Sequence, residues 1–203
     1  MTTWNPDATR RTGPAAKTGY PFDTTNEALG AVVHSAEGYF GPAMDILDGP
    51  KPVSWHFFVT GHGQLFQHSP LEAVTWHAGL EANLRYVGIE CEGVAGSPLG
   101  DSQLRALQAL LLWLKATRGW PSLSRGVTLF EHNEFMATAC PSGRIPWGDL
   151  AEAKPAPATF KPGELDYLRA LISAGQFVRL GYDLRNLHPL DKVSLRRIAE
   201  LAG

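Results

Sequence analysis

Leu104, Leu107, Leu110, Leu111 and Leu114 recur at the spacing of one helical face, and they make residues 101–119 the clearest helix in the chain. Asp101 or Ser102 is placed to cap its N-terminus, and Gly119 before Trp120-Pro121 stops it. Short segments of strand character stand before and after this helix: AVVHS, VSWHFFVT, QLFQH, RYVGIECEG and GVTLF. Strands interleaved with one long helix and loops predict an α/β fold, a mixed central β-sheet flanked by helices.

The strands are where side chains with chemistry are delivered. Ala31, Val32 and Val33 form a buried run that ends at His34, on the C-terminal edge where open α/β sheets present ligands. The following loop, through Gly41, Pro42, Gly49 and Pro52, is rich in helix and strand breakers. In residues 53–60, alternation places Trp55, Phe57 and Val59 on one face and Ser54, His56 and Phe58 on the other. Gly61-His62-Gly63 is a turn leading into QLFQH, a hairpin. In RYVGIECEG, Val87, Ile89 and Cys91 take one side, Gly88, Glu90 and Glu92 the other. Two carboxylates on one strand face need water or a cation. GVTLF, residues 126–130, is the last strand and runs into Glu131-His132.

With 203 residues, 44% hydrophobic and 19% charged, the chain has room for one main domain and an appendage. Residues 1–29, rich in Thr, Pro, Gly and Ala, read as an irregular arm lying on that domain, which spans 30–150. Residues 151–163 are an Ala/Pro/Lys linker by composition. Residues 164–203 form a small helical C-terminal segment. Leu165, Leu168, Leu171 and Ile172 mark one short amphipathic helix; Leu190, Val193, Leu195, Ile198 and Leu201 mark another, which Asp191 is placed to cap. These helices either dock on the main domain or form a wall- or partner-binding module. A net charge of −2 offers no attraction for nucleic acid or an anionic surface. No run approaches the roughly 18 apolar residues of a membrane span, and the first residues lack a secretory h-region. The expectation is a monomer made in a reducing cytoplasm, where two cysteines form no disulfide framework.

The stretch EHNEFMATACPSGRIPW, residues 131–147, carries His132 and Cys140 with seven residues between them, just before a Pro-Ser-Gly bend. Imidazole and thiolate are the side chains zinc prefers. Two such residues alone are equally a surface histidine and a free cysteine. Cys91, among apolar strand residues, reads as a small core residue.

Taken in order, VVHSAEG, SWHFFVTGHGQLFQ, WHAG, YVGIECEG, the leucine helix with Gln103 near its start, and EHN…ACPSGRIPW resemble the zinc-dependent type 2 N-acetylmuramoyl-L-alanine amidases. That family includes phage endolysins, bacterial muropeptide-recycling amidases and animal peptidoglycan recognition proteins. The resemblance covers residues 30–150 and implies that His34, His132 and Cys140 bind Zn²⁺, three ligands leaving a position open for water. It implies Glu90, in Gly88-Ile89-Glu90, as the general base, and Thr138 as a hydrogen-bond donor to the developing oxyanion.

Two positions depart from the family's pattern. Trp55 stands where many members have a tyrosine that helps to activate water, and Thr138 where some phage members have a lysine. An indole N–H only donates, so Trp55 cannot accept a proton. His77 of WHAG resembles a substrate-side histidine; its alternative is a loop-stabilising role. Trp55 and Trp76 either line a glycan groove or pack in the core. His56 reads as a sheet histidine bracing the site, Glu92 as structural or solvated, and His62, His68 and His188 as surface or turn residues.

The implied substrate is peptidoglycan, cut between N-acetylmuramic acid and L-alanine, with a phage endolysin as the expected setting. Such a protein accumulates in the host cytoplasm and acts on the wall after release. A cytosolic recycling amidase is the alternative, although those typically carry aspartate where Cys140 stands. A peptidoglycan-binding protein without catalysis is another.

Overall fold

The computed structural model describes residues 2–19 and 24–153. The linker from residue 154 and the predicted C-terminal helices, His188 and Asp191 among them, lie outside the described residues. Six strands form one sheet: β1 (Thr9–Arg10), β2 (Gly30–Ser35), β3 (Phe57–Val59), β4 (Leu65–Gln67), β5 (Tyr86–Cys91) and β6 (Leu129–Glu131). Their spatial order is β1-β4-β3-β5-β2-β6. Only β3 and β4 pair antiparallel, as the hairpin over Gly61–Gly63 requires; the remaining neighbours are parallel. The sheet is therefore mixed, as the sequence predicts.

Helix α1 spans Phe40–Asp48, α2 Gly79–Arg85, α3 Asp101–Arg118 and α4 Trp147–Ala151. On one sheet face, Val33, Phe57, Val59, Val87 and Ile89 pack against the leucine stripe of α3. Leu107, Leu110, Leu111 and Leu114 are all but fully buried there, each contributing about 1.5–3 kcal/mol. Gln103, buried in the first turn of α3, donates to the carbonyls of Val59 and Glu92 and ties that turn to the ends of β3 and β5. The other face is shared. Ala43, Met44 and Leu47 of α1 pack with Trp55 and Phe58, while Ala82 of α2 packs with Val32, Ala78 and Tyr86.

Several local expectations give way, each for an identifiable reason. Helix α1 occupies part of the breaker-rich loop because Pro42 falls in its first turn, where a missing N–H costs nothing. Neither Asp101 nor Ser102 caps α3: Gly100 holds the cap position and Asp101 sits in the first turn, where its charge favours the helix dipole. Gly119 does end α3, in the left-handed conformation with φ 67°. The last strand begins at Leu129 because residues 124–128 curl into a turn, with Thr128 N–H donating to Ser124. Trp55 shares a cluster with Phe58 rather than with Phe57 and Val59, since the chain bends at His56 and alternation starts only at Phe57.

The N-terminal arm is less irregular than its composition suggests. Thr9–Arg10 adds the edge strand beside β4, and Arg11 and Gly13 donate onward to the carbonyls of Gln67 and His68.

Candidate active site

The parallel register brings the polar ends of three strands into one row. His34 on β2 is the partner of Glu90 on β5, and Val33 is the partner of Glu131 on β6, so His132 follows one residue later beside His34. The two imidazole centroids lie 4.6 Å apart. Cys140 reaches the same place from the loop after β6, its Sγ 3.8 Å from His34 Nδ1. One ligand atom from each of His34, His132 and Cys140 lies within 4.8 Å of the other two. Two backbone bonds hold this junction. Asn133 N–H donates to the Cys140 carbonyl at 3.1 Å, and Ser35 N–H donates to Cys140 Sγ at 3.2 Å.

Arg144 fastens the Cys140 loop from behind. Its guanidinium, in a side chain only 5% exposed, donates to Ser97 O, Ser35 Oγ, Cys91 O and Glu92 O. A fork of five N–H groups suits a buried junction of several carbonyls. Sequence reasoning did not single out this residue, although it lies within the ACPSGR run. Glu92 is structural: its carboxylate accepts from Phe40 N–H at the start of α1 and from Gly61 N–H in the hairpin turn.

The cluster is electrically suited to a cation. Burial, then the neighbouring His77 and His132 rings, keeps His34 neutral well below the usual histidine range; burial also lowers His132. Burial raises the Cys140 thiol to about 12, with Glu90, Glu37 and Glu131 adding to the rise against the Ser35 N–H. Burial and the charge of Glu37 push Glu90 up to about 8. Among the described residues, the buried atoms Glu90 Oε2 and His132 Nε2 have no hydrogen-bond partner. Two neutral imidazoles, a thiol and a carboxyl with one unpartnered oxygen in one pocket fit a thiophilic divalent ion, whose charge would draw the proton from the thiol.

His34 Nε2 lies 3.0 Å from His77 Nδ1, and His77 Nε2 lies 3.3 Å from the Tyr86 carbonyl. Burial holds His77 near 3. The Asn83 side-chain oxygen accepts from the N–H groups of His77 and Ala78 and so fixes the loop that carries the ring. His56 braces β5: its Nε2 meets Ala73 O, and its Nδ1 accepts from Gly88 N–H. His62 is exposed in its turn, but His68 is buried, with Nδ1 against Arg11 O. The arm covers His68, which removes it from the surface set.

These groups open into a cleft of about 260 Å³. Ala43, Ile46, Trp55 and Trp76 supply its apolar wall, facing His34, Glu90 and Thr138. Trp76 is anchored through the arm, its indole N–H donating to Gly19 O and its backbone N–H to Ser54 Oγ, which itself donates to Lys17 O. Thr138 is exposed, and its Oγ1 accepts from Cys140 N–H, which leaves the hydroxyl proton available to a ligand.

The family model described as N-acetylmuramoyl-L-alanine amidase matches residues 24–143, more than half the chain. The chain belongs to the N-acetylmuramoyl-L-alanine amidase family. Solved structures agree on the fold. The N-acetylmuramoyl-L-alanine amidase LysC from Clostridium intestinale URNW matches at 19% identity and a TM-score of 0.54, covering 72% of this chain and 95% of that one. A selenomethionine AmpD derivative matches at 22% identity and a TM-score of 0.60, covering 72% and 94%. The catalytic domain of XlyA matches at 24% identity and a TM-score of 0.56, covering 71% and 96%. No curated protein matches the chain in sequence.

The amidase match begins at residue 24, so the part of the arm that holds Trp76, at Gly19, and adds β1, at Thr9–Arg10, lies outside it. Among the described residues, the amidase domain has no helix long and apolar enough to cross a membrane.

Proposed function

We propose that the protein is a zinc-dependent hydrolase of the amide bond between N-acetylmuramic acid and L-alanine in peptidoglycan. The observation that carries this reading is the meeting of His34, His132 and Cys140 beside Glu90, whose Oε2 has no hydrogen-bond partner among the described residues. His34, His132 and Cys140 would hold the ion. Bound there, zinc would supply Lewis acidity to the amide carbonyl and to the attacking water.

The chain's own groups account for the proton traffic. Glu90, as the general base, takes a proton from the attacking water and delivers it to the departing amine of L-alanine. Thr138, with its hydroxyl proton free, donates to the oxygen on which charge develops. Trp55 lacks a basic atom and serves the wall of the cleft with Trp76. Cys140→Ala is expected to lose bound zinc and muropeptide hydrolysis together; hydrolysis that survives without bound metal refutes the reading.

The proposed setting is a phage endolysin acting on intact walls, consistent with cysteine at position 140. The AmpD likeness keeps a recycling role on soluble muropeptides as the second reading. Rates on whole walls against rates on soluble fragments separate the two. Residues 30–150 are assigned as the catalytic domain. Deleting 156–203 lowers wall binding if the tail is a targeting module and unfolds the protein if it is docked.

A further inference from the structure

We infer that His77 is a positioning residue that fixes which nitrogen His34 presents to the metal, an inference that rests on the metal-centre reading above. The Tyr86 carbonyl can only accept, so His77 Nε2, 3.3 Å away, carries the hydrogen. A neutral imidazole has one N–H, which makes His77 Nδ1 an acceptor. Its partner at 3.0 Å, His34 Nε2, must then be the donor. The network thereby assigns the lone pair of His34 to Nδ1, the nitrogen 3.8 Å from Cys140 Sγ and 3.9 Å from Glu90 Oε1. A backbone carbonyl, through one intervening ring, sets the tautomer of a metal ligand.

Both nitrogens of His77 are consumed in this relay and the residue is 9% exposed, so neither ring nitrogen remains to bind a substrate carbonyl. The relay also explains a glycine. A Cβ on Gly88 would stand 2.6–3.0 Å from three atoms of the His77 ring, so β5 must lack a side chain there for the ring to lie beneath His34. In Gly88-Ile89-Glu90, the glycine admits the positioning ring and the glutamate, two residues on along the same face, meets the ligand it positions.

The test measures zinc affinity of the full-length protein against a chromophoric chelator, with the ¹⁵N resonances of the His34 ring read in the zinc-loaded state. His77→Phe, which keeps the ring volume and removes the acceptor, is expected to weaken zinc binding about 10- to 100-fold. Gly88→Ala is expected to do the same by displacing the ring. His77→Gln, whose carbonyl can accept from His34 and whose amide can donate to Tyr86, is expected to recover most of the loss. Wild-type affinity in a folded His77→Phe protein overturns the inference. So does a wild-type His34 that carries its hydrogen on Nδ1, a reading that needs no variant. Wild-type protein that fails to bind zinc at all overturns the metal-centre reading and this inference with it, whereas tight wild-type binding with an indifferent position 77 overturns this inference alone.

Discussion

His34 and Glu90 are register partners across β2 and β5, and His34 Nδ1 stands 3.9 Å from Glu90 Oε1. That separation is too long for a hydrogen bond. Glu90, 15% exposed and with Oε2 unpartnered among the described residues, is therefore held beside the ligand cluster without being spent on it. Strand alternation produces the arrangement: Ile89 and Cys91 face the α3 core, so Glu90 between them must face the cleft.

Glu90→Gln keeps the volume and removes the base. Muropeptide hydrolysis is expected to fall about 10²- to 10⁴-fold while zinc remains bound. Rates within a few-fold of wild type, in a protein shown to hold zinc, contradict the assignment.

Thr138→Val removes a donor and preserves shape. It is expected to lower kcat about 10²-fold with little change in KM, and Thr138→Ser is expected to recover most of the rate. Steady-state kinetics on a soluble muropeptide check both.

Acid sensitivity follows from buried neutral histidines. Burial lowers His56 and His68 to about 4 from an ordinary value near 6.5. Between those values the unfolded chain takes up protons that the fold refuses, so stability falls as pH drops from about 6.5 towards 4, on the order of 3 kcal/mol per histidine. Glu90 acts with the opposite sign: its value of about 8 makes the zinc-free fold lose stability as pH rises from 4.5 to 8. Thermal midpoints of the zinc-free protein are expected to peak near pH 6.5, with His68→Gln flattening the acid side.

Arg144→Met should uncouple the Cys140 loop from β2 and β5. Losing a buried guanidinium with four acceptors is expected to cost about 3 kcal/mol or more and to weaken zinc binding as well. Denaturant unfolding with and without zinc measures both effects.

Much of this architecture is legible in the residues. The leucine stripe of α3, the hairpin and the alternation of β5 follow from side-chain periods of 3.6 and 2, and the structure keeps all three. What escapes is settled by groups without a period. Pro42 reads as a breaker until its place in the first turn of α1 is known. Helix α2 has only two turns, with Leu80 exposed and Asn83 buried, so it shows no stripe. His34, His132 and Cys140 stand far apart along the chain, and the family resemblance, rather than their spacing, pointed to their meeting. The Tyr86 carbonyl, the Ser35 N–H and the acceptors around Arg144 belong largely to the backbone and leave no mark on residue type.

The most direct test is mass spectrometry of purified peptidoglycan digested by the protein, zinc-loaded and after zinc removal. The account predicts free stem peptides with an L-alanine amine at one end and intact glycan retaining its lactyl carboxyl, formed only by the zinc-loaded protein. Cleavage at a glycosidic or internal peptide bond, no cleavage by the zinc-loaded protein, or the same products without zinc, would contradict it.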